Sequence, residues 1–176
     1  MTTRAIDRRP EDARPRAAGR RSIVVPGVLL GLGLGGFVDG ILLHQILQWH
    51  HMRSGDGAGG GESLTTVGGL EANTIADGLF HTATWLLVVA GVFMLWDRSR
   101  ANGGMRSWTE LAGLLLIGWG VFNLVEGVID HQILGIHHVR DDEGAPLGWD
   151  LGFLASGAVL VAVGWLMARP GGRRAG

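Results

Sequence analysis

The sequence predicts an all-α membrane protein: a four-transmembrane-helix bundle built from two tandem two-helix repeats, with pseudo-twofold symmetry along the membrane normal. Three observations carry this. Four apolar stretches, about 23–49, 75–96, 111–136 and 147–168, divide the 176 residues. Each reaches about 20 residues or more, enough for a helix to cross a hydrocarbon core about 30 Å thick. None alternates with a period of two, which argues against strands. Finally, DGILLHQILQWHHMR at 39–53 is written again as EGVIDHQILGIHHVR at 126–140, with eight of fifteen positions identical at an offset of 87.

Taken in order, residues 1–21 are rich in arginine and proline and lack an apolar period, as expected of a disordered basic cytoplasmic tail. The membrane domain runs from 22 to 168, with repeat one at 22–96 and repeat two at 107–168. In span one, Gly27, Gly31, Gly35, Gly36 and Gly40 provide the small-xxx-small spacing that lets helices approach closely in lipid. A glycine-rich outer loop follows at 53–69. After span two, 97–106 makes an inner turn, and Ser107 with Glu110 forms a capping box for span three. A second outer loop at 139–148 places Pro146 near the start of span four, which Pro170 and Gly171 close before a short cytoplasmic tail, 169–176.

The repeat extends into the second span of each half. At an offset of 73, Asp77 matches Asp150, Phe80 matches Phe153, Gly91 matches Gly164 and Met94 matches Met167. With two spans per copy, both copies cross in the same direction, so the expected axis lies along the membrane normal.

All fifteen cations are arginine, and thirteen fall before span one, between spans two and three, or at and after the end of span four. Only Arg53 and Arg140 lie in the other two loops. This asymmetry predicts a multi-pass protein of the plasma (inner) membrane with both termini cytoplasmic. No cleavage site follows Arg20–Arg21, so the first span reads as retained. The absence of cysteine excludes disulfides, thiolate zinc sites, iron–sulfur clusters and c-type haem, and the absence of tyrosine excludes a tyrosyl radical.

All seven histidines fall in the outer half of the membrane or just above it. By helical rise, His44, Asp77, His131 and Asp150 share a shallow layer. Asp39, His81 and Glu126 share a deeper one, in which Leu154 takes the fourth place. His50, His51, His137 and His138 crown the top. Asp77 and His81 are spaced i, i+4, as are Glu126 and Asp130, and each pair shares a helix face. Asp39 and His44 are five apart, about 140° around an ideal α-helix. Without a kink one helix cannot aim both at one point, which favours two adjacent sites.

An ionisable side chain in a bilayer costs roughly 2.5–3.5 kcal/mol on insertion scales, and a bound cation offsets that cost. Imidazole with carboxylate suits iron, manganese or zinc better than copper(I), and iron is the favoured ion. Helical bundles build di-metal sites from such residues on facing helices. The doubled phrase then supplies half a site from each copy.

Plainer readings stand beside this one. His81 alone reads as a hydrogen-bonded core histidine. The pairs His50–His51 and His137–His138 read equally as interfacial groups. Asp141, Asp142 and Glu143 read as a solvated loop face, and Trp49, Trp96, Trp108 and Trp149 as interfacial anchors. The glycine-rich outer loop lacks the strand and the lysine of a phosphate loop.

The phrases FVDGILLHQILQWHHMR and EGVIDHQILGIHHVR resemble those of an uncharacterised family of four-span bacterial membrane proteins, known as a domain of unknown function. The resemblance covers roughly 22–168 and implies membrane location but no activity. A weaker likeness links His44…His50-His51 and His131…His137-His138 to histidine-box membrane di-iron proteins. Here the spacing is longer, only two boxes occur, and they face outward, so hydroxylase or desaturase activity is not implied.

The leading expectation is a membrane metalloprotein with one or two iron-like ions near the extracytoplasmic face; whether it is a metal-dependent oxidoreductase is left open. One alternative is a b-type haem protein with His44 and His131 as axial ligands. Another is a proton or ion pathway through the same residues, although spans one, two and four carry no charge below the cluster. The expected partner is the lipid bilayer and not nucleic acid, with a second copy or a membrane redox partner as open additions.

Overall fold

The computed structural model describes residues 21–55, 61–104 and 107–169. The expected tails, apart from Arg21 and Arg169, lie outside these residues. Among them all regular structure is helical, and four helical segments are long and apolar enough to cross a membrane. These are Val24–Ile46, Val67–Ala101, Trp108–Leu134 and Leu147–Ala168.

Helix α1 spans Val24–Val38 and continues as a π-helix over Asp39–Ile46; α2 spans Val67–Ala101. Helix α3 spans Trp108–Glu126 and continues as a π-helix over Gly127–Leu134; α4 spans Leu147–Ala168. The Ser107 hydroxyl caps α3 by accepting from the Glu110 N–H at 3.2 Å. Thr66 caps α2 in the same way, accepting from Gly69 N–H at 3.1 Å. With 35 residues, α2 is about 52 Å long and overreaches the hydrocarbon core. At its outer end Asn73 accepts from Arg53 N–H and donates to the Glu62 and Gly69 carbonyls, tying the first outer loop down.

The helices lie in the order α2, α1, α3, α4, with α1 and α3 central and no packing between α2 and α4 among the described residues. The outer faces of α2 and α4 carry exposed Trp85, Phe93, Val159 and Trp165, as helices facing lipid do. Inside, the contacts rest on glycine. A Cβ at Gly31 would meet the Leu115 carbonyl and lie 2.8 Å from Gly118 Cα; one at Gly118 would meet the Val28 carbonyl and lie 2.7 Å from Gly31 Cα. The α1–α3 backbones therefore touch where the two repeats place the same residue.

The other close approaches recur at the two sequence offsets. Gly33 lies against Thr84 and Val88 of α2, and Gly120 lies against Gly157 and Val161 of α4. Gly40 meets Phe80 and His81, and Gly127 meets Phe153 and Leu154. The outer loops also exchange bonds. Gly55 N–H donates to the Ile136 carbonyl at 2.8 Å, and Asp142 N–H donates to the Trp49 carbonyl at 3.2 Å. In the 87-residue register, each donor and each acceptor is the counterpart of the other.

Candidate metal centre

The π-helical ends correct the ideal-helix geometry expected for span one. A π-helix closes its hydrogen bonds from i to i+5, so residues five apart come onto one face. Asp39 and His44 thereby meet, with His44 Nε2 3.0 Å from Asp39 Oδ2. In the second repeat Glu126 is the last residue of α3, immediately before the π-helix that carries His131 five residues on. The widened turn aims carboxylate and imidazole together where an α-helix would have splayed them.

A left-handed residue follows each π-helix, Gln48 with φ 51° two residues past the first and Gly135 with φ 56° directly after the second. Trp49 N–H donates to the Leu43 carbonyl at 2.9 Å, and Ile136 N–H donates to the Asp130 carbonyl at 2.9 Å. The chain doubles back, and the next residues, His50 and His137, turn into the protein with no exposed surface. The interfacial reading of these two histidines gives way to burial.

Six residues converge here: Asp39, His44 and His50 from the first repeat, and Glu126, His131 and His137 from the second. The ligand atoms of His44, His50, Glu126 and His137 all lie within 4.8 Å of one another. His50 Nε2 is 3.9 Å from Asp39 Oδ2, and His137 Nε2 is 3.6 Å from Glu126 Oε1. Ten buried side-chain atoms of these six residues have no hydrogen-bond partner within the protein, including both oxygens of Asp39 and of Glu126 and the Nε2 of every histidine. The 3.0 Å approach of His44 to Asp39 lacks the angle of a hydrogen bond, so both atoms belong to this set. Buried polar atoms are almost always paired, so this concentration of unpaired ones makes the cluster a candidate site for an ion.

Around the six stands a ring of groups whose hydrogen bonds are filled. Asp77 Oδ1 accepts from His44 Nδ1–H at 3.1 Å and Met52 N–H at 2.9 Å. Its Oδ2 accepts from His51 Nδ1–H at 2.6 Å and Gln45 Nε2–H at 3.2 Å. Asp150 repeats the arrangement, accepting from Val139 N–H at 3.0 Å, His138 Nδ1–H at 2.6 Å and Gln132 Nε2–H at 3.1 Å. His131 Nδ1 stands 3.4 Å from its Oδ1. His50 Nδ1–H donates to the Val139 carbonyl at 3.1 Å. A carboxylate or carbonyl on Nδ1 fixes the tautomer that leaves Nε2 free to ligate.

The other residues read from the sequence stand outside the six. Asp77 and Asp150 orient imidazoles, and His51 and His138 bind them from the outer side. His81 Nδ1–H donates to the Asp77 carbonyl at 2.7 Å, and its ring packs on Gly40. The pair Asp77–His81 is thus joined through backbone and not through the carboxylate. Asp130 is half-buried, and its side chain makes none of the cluster's hydrogen bonds. Gln45 and Gln132 carry a role the sequence reading left unassigned, although both sit in the identical stretch of the doubled phrase.

Burial, and after it the imidazoles of His50, His131 and His44, hold the His137 pKa well below the ordinary histidine value. The ring is therefore neutral, the form that binds a metal. Above the site Arg140 lies 4.4 Å over the Trp49 ring and 5.4 Å over Trp149, which are 5.2 Å from each other. Asp142 fixes the guanidinium with bonds at 2.8 and 3.0 Å, and that pairing lowers the Asp142 pKa.

Fold and site together define a four-span helical membrane protein with a buried histidine–carboxylate cluster able to hold a metal ion. The chain belongs to the family described as Predicted membrane protein (DUF2243), which matches residues 26–171. No curated protein and no solved structure matches it.

Proposed function

We propose that this is a metalloprotein of the plasma membrane that binds iron-like divalent ions near the extracytoplasmic face, with redox chemistry as its function. Asp39, His44, His50, Glu126, His131 and His137 are the ligands, both termini are cytoplasmic, and a pseudo-twofold axis along the membrane normal relates the two halves. The observation that carries this reading is the set of ten buried, unpartnered ligand atoms on these six residues. Without a cation such a cluster would be severely destabilising. With one, the Nε2 atoms and the carboxylate oxygens gain the partner they lack.

The donor set favours iron. Each repeat contributes two imidazoles and one carboxylate, the combination that suits non-haem iron(II) and leaves coordination positions open. Zinc and manganese take the same donors. A b-type haem fits less well, because the His50 and His137 rings lie between His44 and His131 where a porphyrin would need to sit. A transmembrane ion pathway is disfavoured by the backbone contact of Gly31 with Gly118 below the cluster.

Elemental analysis and a visible spectrum of the purified protein test the reading. Stoichiometric non-haem iron, reduced in both His44→Ala and His131→Ala, is the expected result. A Soret band selects haem instead, and full metal content in both variants rejects the ligand assignment.

A further inference from the structure

The relative orientation of the four imidazoles carries the reading further. The lone pair of a ring nitrogen lies in the ring plane, so an ion bound by two histidines must lie near both planes. His44 and His50 are inclined at 71° with centroids 4.6 Å apart, and His131 and His137 at 72° and 4.9 Å. Each of these pairs can converge on one ion. His50 and His137 cannot: their planes lie within 5° of parallel at 4.6 Å. An ion midway between them would face the π surfaces of both rings, at bond lengths of only about 2.0–2.1 Å. The cross pairs, His44 with His137 and His50 with His131, stand farther apart at 6.0 and 6.1 Å.

We propose that the centre is dinuclear, with one ion on Asp39, His44 and His50, a second on Glu126, His131 and His137, and a small bridging ligand of the class of azide or dioxygen between them. The proposal rests on the metal-binding reading above. The carboxylate distances agree with it. Donor atoms around one ion at about 2.1 Å stand roughly 3–4 Å apart. Asp39 Oδ2 is 3.0 and 3.9 Å from the Nε2 atoms of His44 and His50, and Glu126 Oε1 is 3.6 Å from that of His137. Glu126 also groups with His44, His50 and His137 within 4.8 Å, in reach of histidines from both triads, a position from which a carboxylate spans two ions. The stacking of His50 on His137 then follows from two ions at the about 3.5–4 Å spacing of two-metal sites, each holding one ring of the stack. Three protein ligands per ion would leave positions free for the bridging ligand.

Loading the full-length protein with ferrous iron in detergent without oxygen, followed by an iron count, decides the matter. Two irons per chain are expected. After oxidation, a coupled ferric pair lacks the paramagnetic resonance signal of an isolated ferric ion, and azide changes the visible spectrum. His50→Ala and His137→Ala should each keep one iron and show the isolated signal. One iron per chain at saturation overturns the dinuclear assignment while leaving the metalloprotein reading intact. Two irons that both show the isolated signal also overturn it, and a spectrum indifferent to azide removes the bridging ligand. No bound iron at all rejects both readings. If either variant fails to fold, the count and signal of the unaltered protein decide alone.

Discussion

His50 and His137 lie face to face inside the histidine–carboxylate cluster, 4.6 Å between ring centroids and within 5° of parallel. They are counterparts in the two repeats, and each is the first side chain to turn inward after its π-helix ends. The two outer loops thus meet through their histidines inside the protein. Above them the loops exchange the backbone bonds of Gly55 with Ile136 and Asp142 with Trp49.

Metal removal should therefore loosen this end of the molecule. Stripping the centre leaves the Nε2 atoms of four imidazoles and the oxygens of two carboxylates buried without partners. Chelation is expected to lower the melting temperature in detergent by on the order of 5–10 °C. Thermal unfolding with and without chelator measures this, and unchanged melting of a protein shown to have lost its metal would count against the centre.

Asp77 and Asp150 should respond alike to removal of one oxygen. Asp77 accepts four hydrogen bonds, so Asp77→Asn sets an amide NH2 against groups that are themselves donors. The expected loss is about 1–3 kcal/mol of stability. Metal affinity should fall roughly 10–100-fold, as for other partners of metal-bound histidines. Asp150→Asn should match it, measured by metal titration and denaturation.

Gln48 and Gly135 test the turn that sends the histidines inward. Both are left-handed, at φ 51° and 56°. That conformation costs a non-glycine residue about 1–2 kcal/mol. Gln48→Gly should be neutral or mildly stabilising, because the second repeat already carries glycine there. Gly135→Val should be destabilising by at least that cost and should reduce bound metal. Equal stability of the two variants would contradict the assigned turn.

The crossing of α1 and α3 should not tolerate a single methyl group. At Gly31 it would meet the Leu115 carbonyl and Gly118, which are backbone and cannot rotate away. Gly31→Ala and Gly118→Ala are expected to cost about 1–3 kcal/mol, the range for overpacking. Gly78→Ala and Gly152→Ala meet nothing within 4 Å and should gain about 0.5–1 kcal/mol from helix propensity. Denaturation of the four variants compares them directly.

The proposed orientation rests on the arginine asymmetry and is open to labelling, since the chain has no cysteine. Asn102→Cys should be reached by a membrane-impermeant reagent only after the cells are opened. Glu143→Cys should be labelled in intact cells. The reverse pattern would invert the topology.

Span number and residue duplication were legible in the sequence because both are local. Twenty apolar residues must bury their backbone polar groups in a helix wherever they lie in lipid, and an identical phrase is visible before anything folds. That the histidines and carboxylates would gather was legible for the same reason: ionisable side chains in an apolar run require partners. Gln45 and Gln132 were visible in the identical stretch, yet their role required knowing that Asp77 and Asp150 would stand opposite them.

What the tertiary structure alone decided is which of the twelve candidate residues face one another. An ideal helix separates Asp39 from His44, whereas the π-helix joins them, and no spacing rule distinguishes the two before α1 packs against its neighbours. Sequence depth placed Asp77 and Asp150 in the same layer as His44 and His131, but the returning loops fill their oxygens with the backbone N–H of Met52 and Val139 and with the His51 and His138 rings. Those two carboxylates became supports, while Asp39 and Glu126 kept unpaired oxygens. The physical reason is that a hydrogen bond made elsewhere in the fold removes a lone pair from metal chemistry, and composition does not record where that bond is made.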